Sequence, residues 1–275
     1  MNPTVEIAGF IVNRVGLGAM RLCGPRVIGL PRDPANALRV LRRAVELGVG
    51  LIDTSDAYGP HVNEEQIAEA LWPYPPNLLI ATKGGYTRPG GAWVPDGHPA
   101  HLRAACEGSL KRLRLEAIDL YQLHHPDPNV PFEESVGELA RLRREGKIRH
   151  CGLSNVGAEQ LEAAQSIVPI GSVQNHYNLG DRSSEDVLEA CERRKIPFLP
   201  YFPLDAGDLA KAGGALARIA PAHAATRSQI ALAWLLRRSP FMLPIPGTSS
   251  VAHLEENVKA GAVELSDDEF EALAA

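Results

Sequence analysis

Four side chains in this sequence are chemically matched to one another: Asp53, Tyr58, Lys83 and His124. A phenol has an ordinary pKa of about 10, so at neutral pH it is a weak proton donor unless its surroundings favour the phenolate. An ammonium such as Lys83 close to the Tyr58 oxygen is expected to lower that pKa, while Asp53 keeps the lysine charged and in place. A neutral His124 imidazole would donate a hydrogen bond to a carbonyl oxygen and orient it. Singly, each has a plainer use: Asp53 as a loop cap, Tyr58 as a half-buried aromatic, Lys83 as a solvated cation, His124 as a structural histidine. Together they would stabilise and protonate an alkoxide as it forms. They lack a nucleophile, and the sequence offers no serine elbow, catalytic cysteine pair or metal cage to supply one.

These groups need a scaffold that gathers distant residues at one mouth. Short apolar runs at 15–17, 51–54, 78–83, 120–124, 150–154, 173–176, 198–201 and 242–245 alternate with helical patterns at 33–47, 64–71, 99–113, 132–145, 158–166, 184–194 and 228–237. Such βα repetition predicts a parallel sheet, and eight strands predict an α/β fold closed as a single (β/α)8 TIM barrel across 1–275. In a barrel the carboxyl ends of the strands share one face. Asp53 ends the second expected strand, Lys83 the third and His124 the fourth. Boundary signals agree: Asp33-Pro34 reads as an N-cap with Pro in the first turn, Gly48 and Gly146 as helix stops, and Ser266 to Glu269 as a capping box. The Gly- and Pro-rich stretch 87–98 reads as a long loop that walls a pocket.

Composition narrows the function classes. With 28 Lys+Arg against 33 Asp+Glu the net charge is −5, which argues against a nucleic-acid or anionic-membrane binder. A 45% hydrophobic fraction with 22% charged residues supports a packed core. Cys23, Cys106, Cys151 and Cys191 are scattered, with no C-x-x-C pair, and the start lacks a basic segment leading into an apolar one; a cytoplasmic protein with no obligate protein partner is expected.

Two local patterns mislead. Gly16-Leu17-Gly18-Ala19-Met20-Arg21 begins like a dinucleotide fingerprint, but Arg21 replaces the third glycine and no helical pattern follows until Asp33. The two glycines are read instead as letting a strand end turn beside a pocket. His125 and Asp127 resemble metal ligands but lack a third partner at a useful spacing, so no metal is expected.

The run Leu51-Ile52-Asp53-Thr54-Ser55-Asp56-Ala57-Tyr58-Gly59 with Asn63-Glu64-Glu65, then Ala81-Thr82-Lys83 and Asp119-Leu120-Tyr121-Gln122-Leu123-His124, resembles the aldo-keto reductase superfamily. Gly152-Leu153-Ser154-Asn155, Gln174-Asn175-His176-Tyr177-Asn178 and Pro246-Gly247-Thr248-Ser249 through Glu256-Asn257 extend the likeness in the same order. The resemblance implies a barrel with a short N-terminal hairpin and extra C-terminal helices, which binds NADPH and passes hydride to a small aldehyde or ketone. It makes Tyr58 the acid, tuned by Lys83 and Asp53, with His124 positioning the carbonyl. Ser154, Asn155 and Gln174 would meet the nicotinamide carboxamide and Tyr201 its ring. Gly18, Met20, Asp53, Phe202, Pro203, Leu204, Gly247, Thr248, Ser249, His253, Glu256 and Asn257 complete the implied cofactor contacts, and Met20, Tyr58, Trp93 and His125 the substrate pocket. Gly247 and His253 stand where the best-known branch carries Lys and Arg, so NADH is expected as a weaker substitute. Two other readings stay open: a Schiff-base aldolase acting through Lys83, and a non-catalytic NADPH-binding regulatory barrel.

Overall fold

A computed structural model describes residues 3–274. An antiparallel hairpin, β1 (Thr4–Ile7) and β2 (Phe10–Asn13), precedes a parallel sheet. The sheet is built from β3 (Leu17–Gly18), β4 (Leu51–Asp53), β5 (Leu79–Gly84), β8 (Ile118–Leu123), β9 (Ile148–Ser154) and β10 (Ile170–Gln174), hydrogen-bonded in that order. Helices α1 (Pro34–Glu46), α2 (Val62–Leu71), α3 (Pro99–Leu113), α4 (Phe132–Arg144), α5 (Ala158–Ile167) and α6 (Glu185–Arg194) follow the successive strands. The chain then adds α7 (Gly214–Ile219), α8 (Arg227–Arg238), α9 (Val251–Lys259) and α10 (Asp267–Ala274). The architecture is a (β/α)8 barrel.

The seventh and eighth strands depart from expectation in their pairing. Residues 198–201 and 242–245 run beside their neighbours but join them only through isolated bridges, Val173 to Phe198, His176 to Tyr201 and Phe198 to Met242. Proline is the cause, since Pro200, Pro244 and Pro246 have no N–H to donate to a ladder. Closure onto β3 therefore depends on donors from the other side: Gly16 N–H to Pro244 O at 2.9 Å and Gly18 N–H to Pro246 O at 3.3 Å. A Cβ on Gly18 would stand 2.7 Å from the Ile245 carbonyl oxygen. The glycine pair serves barrel closure at the edge of a cavity.

Strand alternation explains how an apolar interior ends in a polar mouth. Leu51, Leu79 and Leu120 point inward low in the barrel and pack with Leu199 and Leu243 on Val5, Ile7 and Val12 of the hairpin, which closes the bottom. Two residues further on, the inward positions are Asp53, Ala81 and Gln122; then come Lys83 and His124. The outward set, including Ile52 and Ile80, packs on α1 and α2 through Val40, Leu41 and Ile67. Each such fully buried aliphatic side chain contributes about 1.5–3 kcal/mol.

The expected boundary devices are present. Asp33 accepts the Asn36 N–H at 2.9 Å, Gly48 and Gly146 have φ of +80° and +76°, and Ser266 and Glu269 cap each other at 2.8 and 3.3 Å. The loop at 87–98 has more structure than its composition suggested: β6 (Tyr86–Thr87) pairs with β7 (Val94–Pro95) as a small antiparallel hairpin. Among the described residues, no helix is long and apolar enough to cross a membrane.

Candidate active site

Asp53, at the end of β4, is the centre of a buried network. Its Oδ2 receives Lys83 Nζ at 2.5 Å, and its Oδ1 receives Gln122 Nε2 at 3.0 Å and Gln174 Nε2 at 2.9 Å. Lys83 also donates to the Thr54 carbonyl at 2.8 Å and reaches Tyr58 Oη at 3.5 Å. Three other strands thus send donors to one carboxylate. Gln122 reaches it because Gly152 stands opposite, where a Cβ would come within 2.7 Å of Gln122 Cγ. Sequence reasoning missed Gln122, although a glutamine on the inward register of an apolar strand was the available signal.

Tyr58 is 7% exposed and turns its ring edge-on to His124 at 5.6 Å and to Trp93 at 6.1 Å. His124 Nδ1 lies 3.0 Å from Ser55 Oγ, a partner not singled out from sequence. Burial, reinforced by the Lys83 charge, holds the His124 pKa well below the ordinary value, so the imidazole is neutral as expected. Tyr58 corrects an expectation: burial and the Asp53 charge push its pKa well above that of a free phenol instead of lowering it. The Lys83 ammonium is shared with Asp53 and the Thr54 carbonyl, and burial lowers its own pKa against the pull of Asp53. Tyr58 is therefore a neutral phenol.

These groups open into a cavity of about 1060 Å³. Asp53, Tyr58 and His124 line it with Trp93, His125, Ser154, Asn155, Gln174 and Tyr201. Gly18, Met20, Phe202, Pro203, Leu204, Gly247, Thr248, His253, Glu256 and Asn257 line it as well. Lys83 is fully buried behind the wall, where its amine cannot meet a carbonyl in the cavity. That placement argues against the Schiff-base reading. Ser249 lies off the cavity in an adjoining groove, its carbonyl accepting Asn36 Nδ2 at 2.6 Å. Asp127, paired with His125 by spacing, instead accepts the N–H groups of Gly97 at 3.0 Å and Asn129 at 2.8 Å.

Several expected cofactor contacts have partners of their own. Asn155 donates to the His124 carbonyl at 3.0 Å and accepts the Tyr201 hydroxyl at 2.7 Å. His176 stacks on the Tyr201 ring at 5.4 Å between centroids. Glu256 accepts the Thr226 hydroxyl at 2.5 Å. The helix after Thr248 is capped by Ser250, whose Oγ takes the His253 N–H at 3.3 Å. Arg21, Arg26, Lys211, Tyr86 and Ser228 also line the cavity; as residues of loops, short helical turns, a helix start and a two-residue strand, without periodic pattern, they carried little sequence signal.

The donor set suits an extended dinucleotide. Ser154 and Gln174 bring polar atoms to the cavity that Tyr58 and His124 line, Tyr201 brings a flat ring, and Arg21, Lys211 and Thr248 bring cations and a hydroxyl of the kind that bind phosphate. The volume lies at the upper end of the range for small-molecule pockets.

Comparison with known proteins agrees. The sequence profile of the Aldo/keto reductase family matches residues 14–275. The chain is 47% identical to an uncharacterized oxidoreductase of Schizosaccharomyces pombe, over 97% of this chain and 87% of that one. It is 44% identical to a pyridoxine 4-dehydrogenase of Escherichia coli, over 94% and 92%. Among solved structures, a glycerol dehydrogenase from Gluconobacter oxydans superimposes with a TM-score of 0.91 at 28% identity, covering 99% of this chain and 94% of that one. An aldo-keto reductase from Klebsiella pneumoniae in complex with NADPH does so at 0.84 and 27%, with coverage of 99% and 94%. A four-residue chemical set, a barrel that gathers it and this agreement lead to one conclusion: the chain belongs to the aldo/keto reductase family of oxidoreductases.

Proposed function

We propose that the protein uses NADPH to reduce an aldehyde or ketone to an alcohol, with Tyr58 as general acid and His124 orienting the carbonyl. The observation that carries this reading is the meeting of Tyr58, the Lys83–Asp53 pair and a neutral His124 at one end of a dinucleotide-sized cavity. When bound, the reduced nicotinamide supplies the hydride that goes to the carbonyl carbon. Tyr58 gives its hydroxyl proton to the carbonyl oxygen as negative charge develops there. Lys83, 3.5 Å from the phenolic oxygen, stabilises the charge that then falls on Tyr58. His124 contributes a hydrogen bond from Nε2–H in the tautomer whose Nδ1 accepts from Ser55. The raised Tyr58 pKa keeps the proton on the phenol until negative charge on the carbonyl oxygen draws it off.

Ser154 and Gln174 would hold the carboxamide, and Tyr201, backed by His176, would present its remaining face to the nicotinamide. Arg21, Lys211 and Thr248 would bind phosphate oxygens. The test is the loss of NADPH absorbance with a panel of aldehydes, repeated with NADH as the weaker reductant. Pyridoxal heads the panel because of the 44% identity to a pyridoxine 4-dehydrogenase. Turnover of at least one carbonyl compound is expected; tight NADPH binding without oxidation across the panel would favour the regulatory barrel instead.

A further inference from the structure

The substrate wall is held by a residue that the reaction itself does not use. Arg88 sits between β6 and the turn at Pro89–Gly91, and its guanidinium lies 3.6 Å from the centre of the Trp93 ring. A guanidinium has five N–H donors in a rigid plane. All five are used on backbone carbonyls from three separate segments. Nε donates to Ala92 at 3.2 Å; Nη1 to Val27 at 3.2 Å and Ala57 at 3.0 Å; Nη2 to Arg26 at 2.9 Å and Gly91 at 3.0 Å. Among the described residues, no carboxylate forms an ion pair with it.

The segments that Arg88 joins meet around the reacting groups. Ala57 immediately precedes Tyr58. Arg26 and Val27 have φ of +58° and +60°, a conformation costly for a β-branched residue that persists only where its surroundings enforce it. Gly91 and Ala92 lead into Trp93, whose ring meets the edges of Tyr58, Tyr86 and His124 at 6.1, 5.2 and 6.0 Å. The flat face of the guanidinium supports the indole while its edge binds all three loops. Lysine, with three donors radiating from one nitrogen, cannot reproduce that arrangement.

We propose that Arg88 is a positioning residue that fixes Trp93 against the Tyr58 loop and thereby sets the preference of the pocket for carbonyl compounds carrying a planar ring. This rests on the carbonyl-reductase reading above. Arg88 touches neither hydride nor proton; it determines whether the wall is present when the substrate arrives. An aromatic aldehyde gains from that wall by ring contact, whereas a short aliphatic aldehyde gains little.

The test compares the wild type with Arg88→Met, Arg88→Lys, Trp93→Ala and the Arg88→Met/Trp93→Ala double variant, using benzaldehyde and propionaldehyde. Arg88→Met is expected to raise KM for benzaldehyde about tenfold, with a smaller fall in kcat and at most a third of that KM effect for propionaldehyde. Arg88→Lys should fall between Arg88→Met and the wild type. The double variant should match Trp93→Ala, because both changes remove the same wall. Labelling with 5-fluorotryptophan gives a readout that needs no turnover: the Trp93 fluorine resonance, assigned with Trp93→Phe, should shift or broaden in Arg88→Met and Arg88→Lys while those of Trp72 and Trp234 stay in place. Equal losses with both aldehydes, effects of Arg88 and Trp93 that multiply, or an unmoved Trp93 resonance would overturn the proposal. Should Arg88→Met fail to fold, Arg88→Lys and the fluorine spectrum still decide it. A wild type that reduces neither aldehyde nor any other carbonyl counts against the proposed reaction, while the fluorine spectrum continues to test the wall.

Discussion

The two ends of the cavity are built on different terms. At the inner end, Asp53, Lys83, Gln122 and Gln174 stand on strands of one parallel sheet, are almost fully buried and are bonded to one another. At the outer end, Gly247 and His253 are exposed on a loop and the first turn of α9, with Ser249 just off the cavity beside them, and the ordered bonds there mainly cap the helix. The inner end is set before anything binds, because a buried charge pair that moved would lose partners it cannot replace with water. The outer end stays solvated and yields to its ligand at little cost. The charge network that must not vary is placed on the sheet, and recognition that can be retuned is placed on the loops.

Substitutions at the inner end should be the more damaging. Tyr58→Phe is expected to cut kcat by about 10³-fold or more while cofactor affinity, read by fluorescence titration, changes little. Activity surviving intact would remove the inner end from the chemistry. Lys83→Met should lower kcat by roughly 10²-fold and alter the pH–rate profile, since it removes the cation beside the phenol and leaves Asp53 without its ion-pair partner. An unchanged profile would break the link between Lys83 and Tyr58.

Asp56 extends the contrast to stability. Burial, with the Glu64 charge nearby, raises its pKa from 3.8 to about 7. The folded chain therefore holds this proton more tightly than the unfolded chain. The resulting stability is fully present below about pH 4 and is lost as pH rises towards 7, a change on the order of a few kcal/mol. Asp56→Asn should flatten that part of the pH–stability curve measured by denaturant unfolding. At the outer end, Ser249→Glu should weaken NADPH only several-fold, and NADH less, because an added carboxylate repels the extra phosphate across solvent. Equal effects on both cofactors would separate Ser249 from phosphate recognition.

Much of the inner end was legible in the sequence because strand alternation places residues by arithmetic. Once 51–54, 78–83 and 120–124 are read as parallel strands, Asp53, Lys83 and His124 fall on the inward face near the carboxyl ends of their strands. What alternation cannot convey is the sign of a balance: burial of Tyr58, with the Asp53 charge beside it, raises the phenol pKa against the pull expected from Lys83. The hairpin across residues 87–98 was hidden for another reason. Its two-residue strands are too short for periodicity, and the bonds that shape it come from Arg88, whose partners are backbone carbonyls that no side-chain pattern records. The α8 N-terminus did carry a signal that was passed over, Thr226 with Gln229, now seen bonded reciprocally at 3.2 and 2.9 Å.

The join between the first and last barrel segments works like a zip with teeth on one side. Gly16 and Gly18 donate across it, and the prolines at 244 and 246 have nothing to give back. Breathing of the sheet should begin along this line, with the amide protons of Gly16 and Gly18 exchanging with deuterated water sooner than those of Leu120 and Gln122 in the interior ladder. Gly18, Ile245 and Gly247 also border the cavity, so this one-sided join is part of the wall along which a long ligand would lie.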